Sequence, residues 1–175
     1  MDQFLHVISP AADPVRLRQF VTALATGPRN RAFAGRAMLF AEAMVADALA
    51  QAGAPAEEES YSLRWTVARR DPSPLWLFRV APVKPYRAIT GANLHAVIEA
   101  RGAGVNAPPL VLVAHLDTVR STPGADDNAS GVAVLVEAAR HLTAATSRRE
   151  THIVIVDMEE IGFIGADQFV KANVG

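Results

Sequence analysis

Three short runs hold the residues best suited to chemistry: AHLDTV at 114–119, PGADDNASG at 123–131 and MEEIGF at 158–163. The first offers an imidazole, His115, with an acid two residues on, Asp117. The second carries Asp126 and Asp127, and the third Glu159 and Glu160. A neutral ring nitrogen and clustered carboxylates are the ligand types of a divalent metal site. Two carboxylates about 4 Å apart repel by roughly 4 kcal/mol at an effective dielectric near 20. If Asp117, Asp127, Glu159 and Glu160 crowd together, several such terms need a cation. These runs and the residues between the first two contain no lysine and one arginine, Arg120. A metal is the economical counter-charge.

Each residue type then has work to do. His115 can ligate a metal, and Asp117, on the same side of an extended chain, can accept the other ring N–H and fix the tautomer. Asp127 has two oxygens and could bridge two metals. Of the adjacent glutamates, one can ligate while the other takes a proton from metal-bound water. Cysteine is absent, which removes thiolate ligands, disulfides and cysteine nucleophiles together.

Those side chains must be brought together by the elements around them. Leu110 to Ala114 is a short apolar run after Pro108-Pro109, expected to be a strand buried on both faces. Ser130 begins a helix on which Val132, Leu135, Val136, Ala139 and Leu142 recur at helical spacing. Thr151 to Val156 is a second apolar strand. Strand, helix, strand at this length is a βαβ unit, whose parallel strands end on the same sheet edge. His115 ends the first strand, the aspartate loop leaves that edge, and the glutamates follow the second strand. Ligand sites of open α/β sheets lie beyond such strand ends.

Upstream, Asp13-Pro14 starts a helix with Leu17, Phe20, Val21 and Leu24 on one stripe, ended by Gly27-Pro28. A second helix spans about Ala34 to Ala52, burying Met38, Ala41, Val45, Ala48 and Leu49. From Ser60 the period is two, with Tyr61, Leu63, Trp65 and Val67 sharing a face of an edge or half-exposed strand. Leu75–Val80 and Leu94–Glu99 read as two more strands separated by a proline-containing loop, with Trp65 and Trp76 in packing roles. A last helix covers Ala166 to Asn173. The whole of 1–175 reads as one domain, α/β, three-layer α/β/α with a mixed, centrally parallel sheet.

A net charge of −1 with dispersed basic residues argues against a nucleic-acid partner or a polybasic membrane patch. No stretch reaches 18 uninterrupted apolar residues and no basic-then-apolar leader opens the chain, so the expectation is a cytoplasmic protein with no membrane span.

AHLDTV, PGADDNASGVA and MEEIGFIGA, in that order, resemble metallopeptidase family 28 of clan MH. The motif match covers His115 to about Phe169, and Asn93 to Gly102 fits the family layout less specifically. The resemblance implies a zinc-dependent exopeptidase of aminopeptidase type, acting on a peptide or amino-acid amide through a metal-bound water. It makes His115 the ligand of one zinc, Asp127 the bridge between two and Glu160 the ligand of the other. Glu159 becomes the general base and Asp117 the partner of the His115 ring. Asp127 is preferred to Asp126 because the family's bridging acid stands four residues before the glycine of the Ser-Gly pair, here Gly131. A cis peptide between Asp127 and Asn128 is implied too. H-x-D-T-V and E-E-x-G also occur in carboxypeptidase G-like amidohydrolases, but those have a Gly-rich segment where this chain has ADDNASG.

The family's pattern has two zinc ions per complete site and needs a further Asp and His beyond the glutamate pair. This chain ends fifteen residues after Glu160. His152 starts its strand, roughly 20 Å or more from Glu159. His141 sits at the far end of the crossover helix, His95 near the start of its strand and His6 in the N-terminal tail, so none replaces the missing ligand. The expectation is an N-terminal, C-terminally incomplete part of a zinc metallopeptidase. It should bind at most one metal tightly, turn over negligibly alone, and leave a strand edge and apolar surface uncovered. The alternative is a non-catalytic remnant serving as a metal-binding or interaction module.

Overall fold

The computed structural model describes residues 12–69, 83–101, 107–145 and 149–173. Helix α1, Pro14–Leu24, starts as the sequence predicts: the Asp13 side chain accepts from the N–H groups of Val15 and Arg16. Helix α2 is Gly35–Gln51, and its stripe of Met38, Ala41, Val45 and Leu49 is buried, with Ala48 packed beside it. Strands β1 (Glu57–Arg69), β2 (Val83–Ile98), β3 (Leu110–His115) and β4 (Thr151–Val156) form one sheet in the order β1-β2-β4-β3. Helix α3, Ser130–Ala144, crosses between β3 and β4, and α4, Ile164–Asn173, follows β4.

β3 and β4 pair in parallel, whereas β1–β2 and β2–β4 are antiparallel, so the sheet is mixed. Alternation along the strands divides its faces. Leu94, Ala96 and Ile98 of β2 and Ile153 and Ile155 of β4 join α1, α2 and α3 in the main core. Val154 and Val156 face the other way, onto Phe169 of α4. These are the three layers of an α/β/α fold. No helix among the described residues is long and apolar enough to cross a membrane.

Four expectations meet corrections. β3 is not buried on both faces: Leu110, Val111 and Val113 are exposed and Ala114 alone is buried. Among the described residues it lies at the sheet edge with one neighbour, and α4 packs over β2 and β4. The segment before Leu94 is strand rather than loop. Pro85 is tolerated there because β2 pairs with β4 only from Leu94 to Ile98, and Pro85 opposes Val67 of β1 alone. Trp65 does not pack; it and Val67 are exposed, unlike Tyr61 and Leu63, which lie against Met158, Ile161 and Ile164. The pairing skips Arg64 and Ala88, where Ala88 has φ 52°, and beyond that break Ala68 is the buried residue. The edge position expected for β1 is observed. Leu75–Val80 and Trp76 lie outside the described residues.

Candidate metal centre

His115 closes β3 opposite Val156, and the ladder continues one step further with Leu116 N–H donating to the Val156 carbonyl at 2.9 Å. The chain then turns inward, and Asp117 is fully buried. Its carboxylate is a hub: Oδ1 accepts the Glu159 N–H at 2.9 Å, and Oδ2 accepts the Glu160 N–H and the Asn30 side-chain amide, both at 3.1 Å. One buried acid therefore ties the end of β3 to the glutamate pair after β4. The βαβ topology predicts that meeting, and the structure makes it.

The His115 ring has one nitrogen on each side of the site. Nδ1 lies 3.1 Å from the Asp117 carbonyl and 3.6 Å from its carboxylate Oδ1. The main-chain oxygen is thus the closer acceptor, where the sequence reading named the carboxylate. Nε2 points at Asp127 Oδ1, 2.9 Å away, with Glu159 Oε2 at 4.0 Å. His115, Glu159 and Glu160 each offer a ligand atom within 4.8 Å of one another. Asp126 is exposed, and it is Asp127 that meets the imidazole.

The Asp127 loop is built by close backbone approach. Gly124 has φ 64°, and a Cβ there would stand 2.4 Å from Thr118 Cγ2 and 2.5 Å from the Asp127 carbonyl. A wide turn over Ala125–Ala129 leads into α3, with the Asp127–Asn128 peptide cis. Asn128 Oδ1 then accepts the Gly131 N–H at 3.0 Å, and a Cβ on Gly131 would lie 2.1 Å from that oxygen.

The charges within the cluster do not balance. Burial works against a charged His115, but the Asp117 carboxylate 3.6 Å from Nδ1, helped by Glu159 and Asp127, wins and raises it to about 9. Burial, then repulsion from Asp127, Asp117 and Glu159, raises Glu160 to about 7. A site whose acids hold one another's protons on, around a ring nitrogen aimed at them, has the donor set for a cation. His115, Glu159 and Glu160 offer ligand atoms to one point, and Asp127 stands beside the imidazole at 2.9 Å.

The floor of this site is not legible in the sequence pattern. Arg29 is 1% exposed, and its guanidinium donates to the carbonyls of Leu116 at 2.7 Å, Pro123 at 2.6 Å, and Leu24 and Gly124 at 3.3 Å. The Arg29 carbonyl accepts the Thr118 N–H at 2.8 Å. One buried side chain thus braces the peptide after His115 and the loop before Asp127. Arg31 bridges Asp157 and Glu42. Burial raises Asp157 to about 6 and Glu42 to about 7 despite that arginine. The available signal was the run Arg29-Asn30-Arg31 between two helices, but nothing local says that it folds inward. Arg120 lies over the Phe33 ring.

The family model for Peptidase family M28 matches residues 93–174, bearing out the resemblance drawn from the motifs. Aminopeptidase YwaD of Bacillus subtilis is 41% identical over 64 residues, 36% of this chain and 14% of that protein. Among solved structures, an aminopeptidase from Aneurinibacillus sp. strain AM-1 superposes with a TM-score of 0.74 at 14% identity, covering 94% of this chain and 67% of that one. A glutaminyl cyclase from Fimbriiglobus ruber gives 0.68 at 20% identity, covering 92% and 55%. At such identities these structures speak for the fold. The match spans a small part of the curated relative's length and about half to two thirds of the solved chains.

Proposed function

We propose, from the match of residues 93–174 to the model of Peptidase family M28, that this chain carries the metal-and-base half of a zinc-dependent exopeptidase site of aminopeptidase type. The observation that supports it most is the convergence of His115 Nε2, Asp127, Glu159 and Glu160 around a cluster short of positive charge. His115, Asp127 and Glu160 would hold zinc. When bound, zinc lowers the pKa of water and polarises a peptide carbonyl.

The chain's own residues account for the rest. Asp117, pinned by two backbone N–H groups and Asn30, fixes the glutamate pair relative to His115. Glu159, partly exposed and 4.0 Å from His115, accepts the proton of the attacking water and returns it to the leaving amine. Glu160, 6% exposed, is the more shielded of the two glutamates, which supports the ligand role for it. The 41% identity to an aminopeptidase segment supports the hydrolytic reading. A glutaminyl cyclase reading shares the fold and would require conversion of an N-terminal glutamine without hydrolysis.

The test is binding of leucine hydroxamate, a metal-chelating analogue of an amino-acid amide, to the purified chain with and without zinc. Binding that needs zinc and disappears in His115→Ala supports the proposal. Equal binding without zinc contradicts it.

A further inference from the structure

Away from the metal centre, β1 carries an ordered pattern of charge along an open edge. It pairs with β2 over Glu57–Arg69, and among the described residues no strand lies on its other side. A strand in that position presents a row of backbone N–H and C=O groups to whatever can pair with them. Exposure alternates from Glu58 to Arg64. Glu58, Ser60, Ser62 and Arg64 are exposed on one face, while Glu59, Tyr61 and Leu63 are half-buried on the other. The exposed face therefore reads acid, hydroxyl, hydroxyl, base.

That order is its own complement when reversed. Two copies of β1 laid antiparallel about Tyr61 set Glu58 opposite Arg64, Ser60 opposite Ser62, and Tyr61 opposite Tyr61. The two-fold axis repeats the Glu58–Arg64 pair, so a dimer holds it twice. Opposite charges and aromatic residues directly across antiparallel strands favour pairing, and like charges oppose it. The pattern also selects a register: a slip of two residues either way sets Arg64 opposite Ser60 or Ala56. Charges often protect an edge from pairing. A run of one sign does so in every register, whereas this edge has one register in which Glu58 and Arg64 meet.

Three further observations favour a second copy as the occupant. Burial, with Asp157 and Glu58 adding repulsion against the pull of Arg31, raises the Glu42 carboxyl of α2 to about 7. Glu58 thus stands in an acidic corner, to which Arg64 of a second copy brings positive charge. Ser60 Oγ donates to Glu58 Oε1 at 2.7 Å, which holds the carboxylate along the strand. A net charge of −1 leaves little long-range repulsion between copies. The edge at β3 differs, because Leu110–Ala114 carries no charge to select a register.

We propose that β1 is a self-association edge: two copies of this chain pair antiparallel through residues 57–65, with Glu58 of each facing Arg64 of the other, and join their sheets into one. A strand edge buries less area than a broad obligate interface, so the association is weak and concentration-dependent. None of these residues belongs to the metal centre, and the edge stands apart from the peptidase reading.

The test is sedimentation velocity on the 175-residue chain from about 1 to about 500 µM, the range of a weak interface. Monomer should give way to dimer as concentration rises. Arg64→Glu sets acid against acid at both symmetric pairs and should weaken the dimer about 10–100-fold, as should Glu58→Arg with base against base. The double variant Glu58→Arg with Arg64→Glu restores both pairs with their signs exchanged and should return to within about threefold of the parent. Both positions are exposed, and a thermal melt on each variant checks that the fold persists. Monomer at every concentration would overturn the proposal, as would a dimer indifferent to both single reversals or a double variant no stronger than the singles. Val111→Lys, on β3, should leave the dimer unchanged; its loss there, with Arg64→Glu silent, would put the interface on β3 instead.

Discussion

Replacing Arg29 with methionine tests whether the floor of the site holds its shape. The guanidinium makes two short bonds, to the carbonyls of Leu116 and Pro123, and two longer ones, to those of Leu24 and Gly124. Charged hydrogen bonds contribute about 1.5–3 kcal/mol each, and the long pair about 1 kcal/mol each, so the substitution forfeits roughly 5–8 kcal/mol. Part of this is offset. Burial pulls the Arg29 pKa down to about 10, and removing that desolvated charge returns about 3 kcal/mol. The net loss is about 2–5 kcal/mol, a large share of the 5–15 kcal/mol typical of a domain. Urea unfolding followed by circular dichroism should show the midpoint falling by about 1–2 M. Lysine offers one ammonium in place of a planar fork and should fall between the two. Zinc affinity should drop as well, because the braced carbonyls frame His115 and Asp127. Arg29→Met within 0.5 kcal/mol of the parent, or lysine equal to arginine, would refute the bracing role.

Three further outcomes follow from the same geometry. Gly124→Ala combines a left-handed φ with a 2.4 Å approach to Thr118 and should cost about 2–4 kcal/mol in denaturant unfolding, with weaker zinc binding. Zinc must displace protons from His115, raised to about 9, and Glu160, raised to about 7. Log affinity in calorimetry should therefore rise by about one per pH unit between 7 and 9, and by about two below 7. Arg16 and the Asp13 N–H hold Glu137 down at about 2. That depressed carboxyl contributes stability above its unfolded pKa, lost as pH falls toward 2. Arg16→Ala should therefore destabilise most at neutral pH, and its difference from the parent should shrink in acid unfolding; a constant difference would show that the pair does not matter.

The parts of this molecule written locally were readable in the sequence. The Asp13 cap, the α2 and α3 stripes and the Thr151–Val156 strand are set by nearest-neighbour pattern, and the structure returns them. The βαβ topology then delivered His115, Asp127 and the glutamates to one edge without further information. What failed depends on neighbours in space. The apolar run of β3 looks doubly buried, but burial is decided by what covers an edge strand. Trp65 follows the alternation of Tyr61 and Leu63 until the break at Arg64 and Ala88. Arg29 and Asn30 act from about ninety residues away, and the pairing of His95 with His152 is made by antiparallel β2 and β4.

Zinc titration of the parent chain against His115→Ala, Asp127→Ala, Glu160→Ala and Glu159→Gln tests the central claim most directly. The proposed roles predict one tight zinc in the parent, its loss in the first three variants, and its retention in Glu159→Gln. Equal loss in Glu159→Gln and His115→Ala, or zinc binding untouched by any of the four, would contradict them.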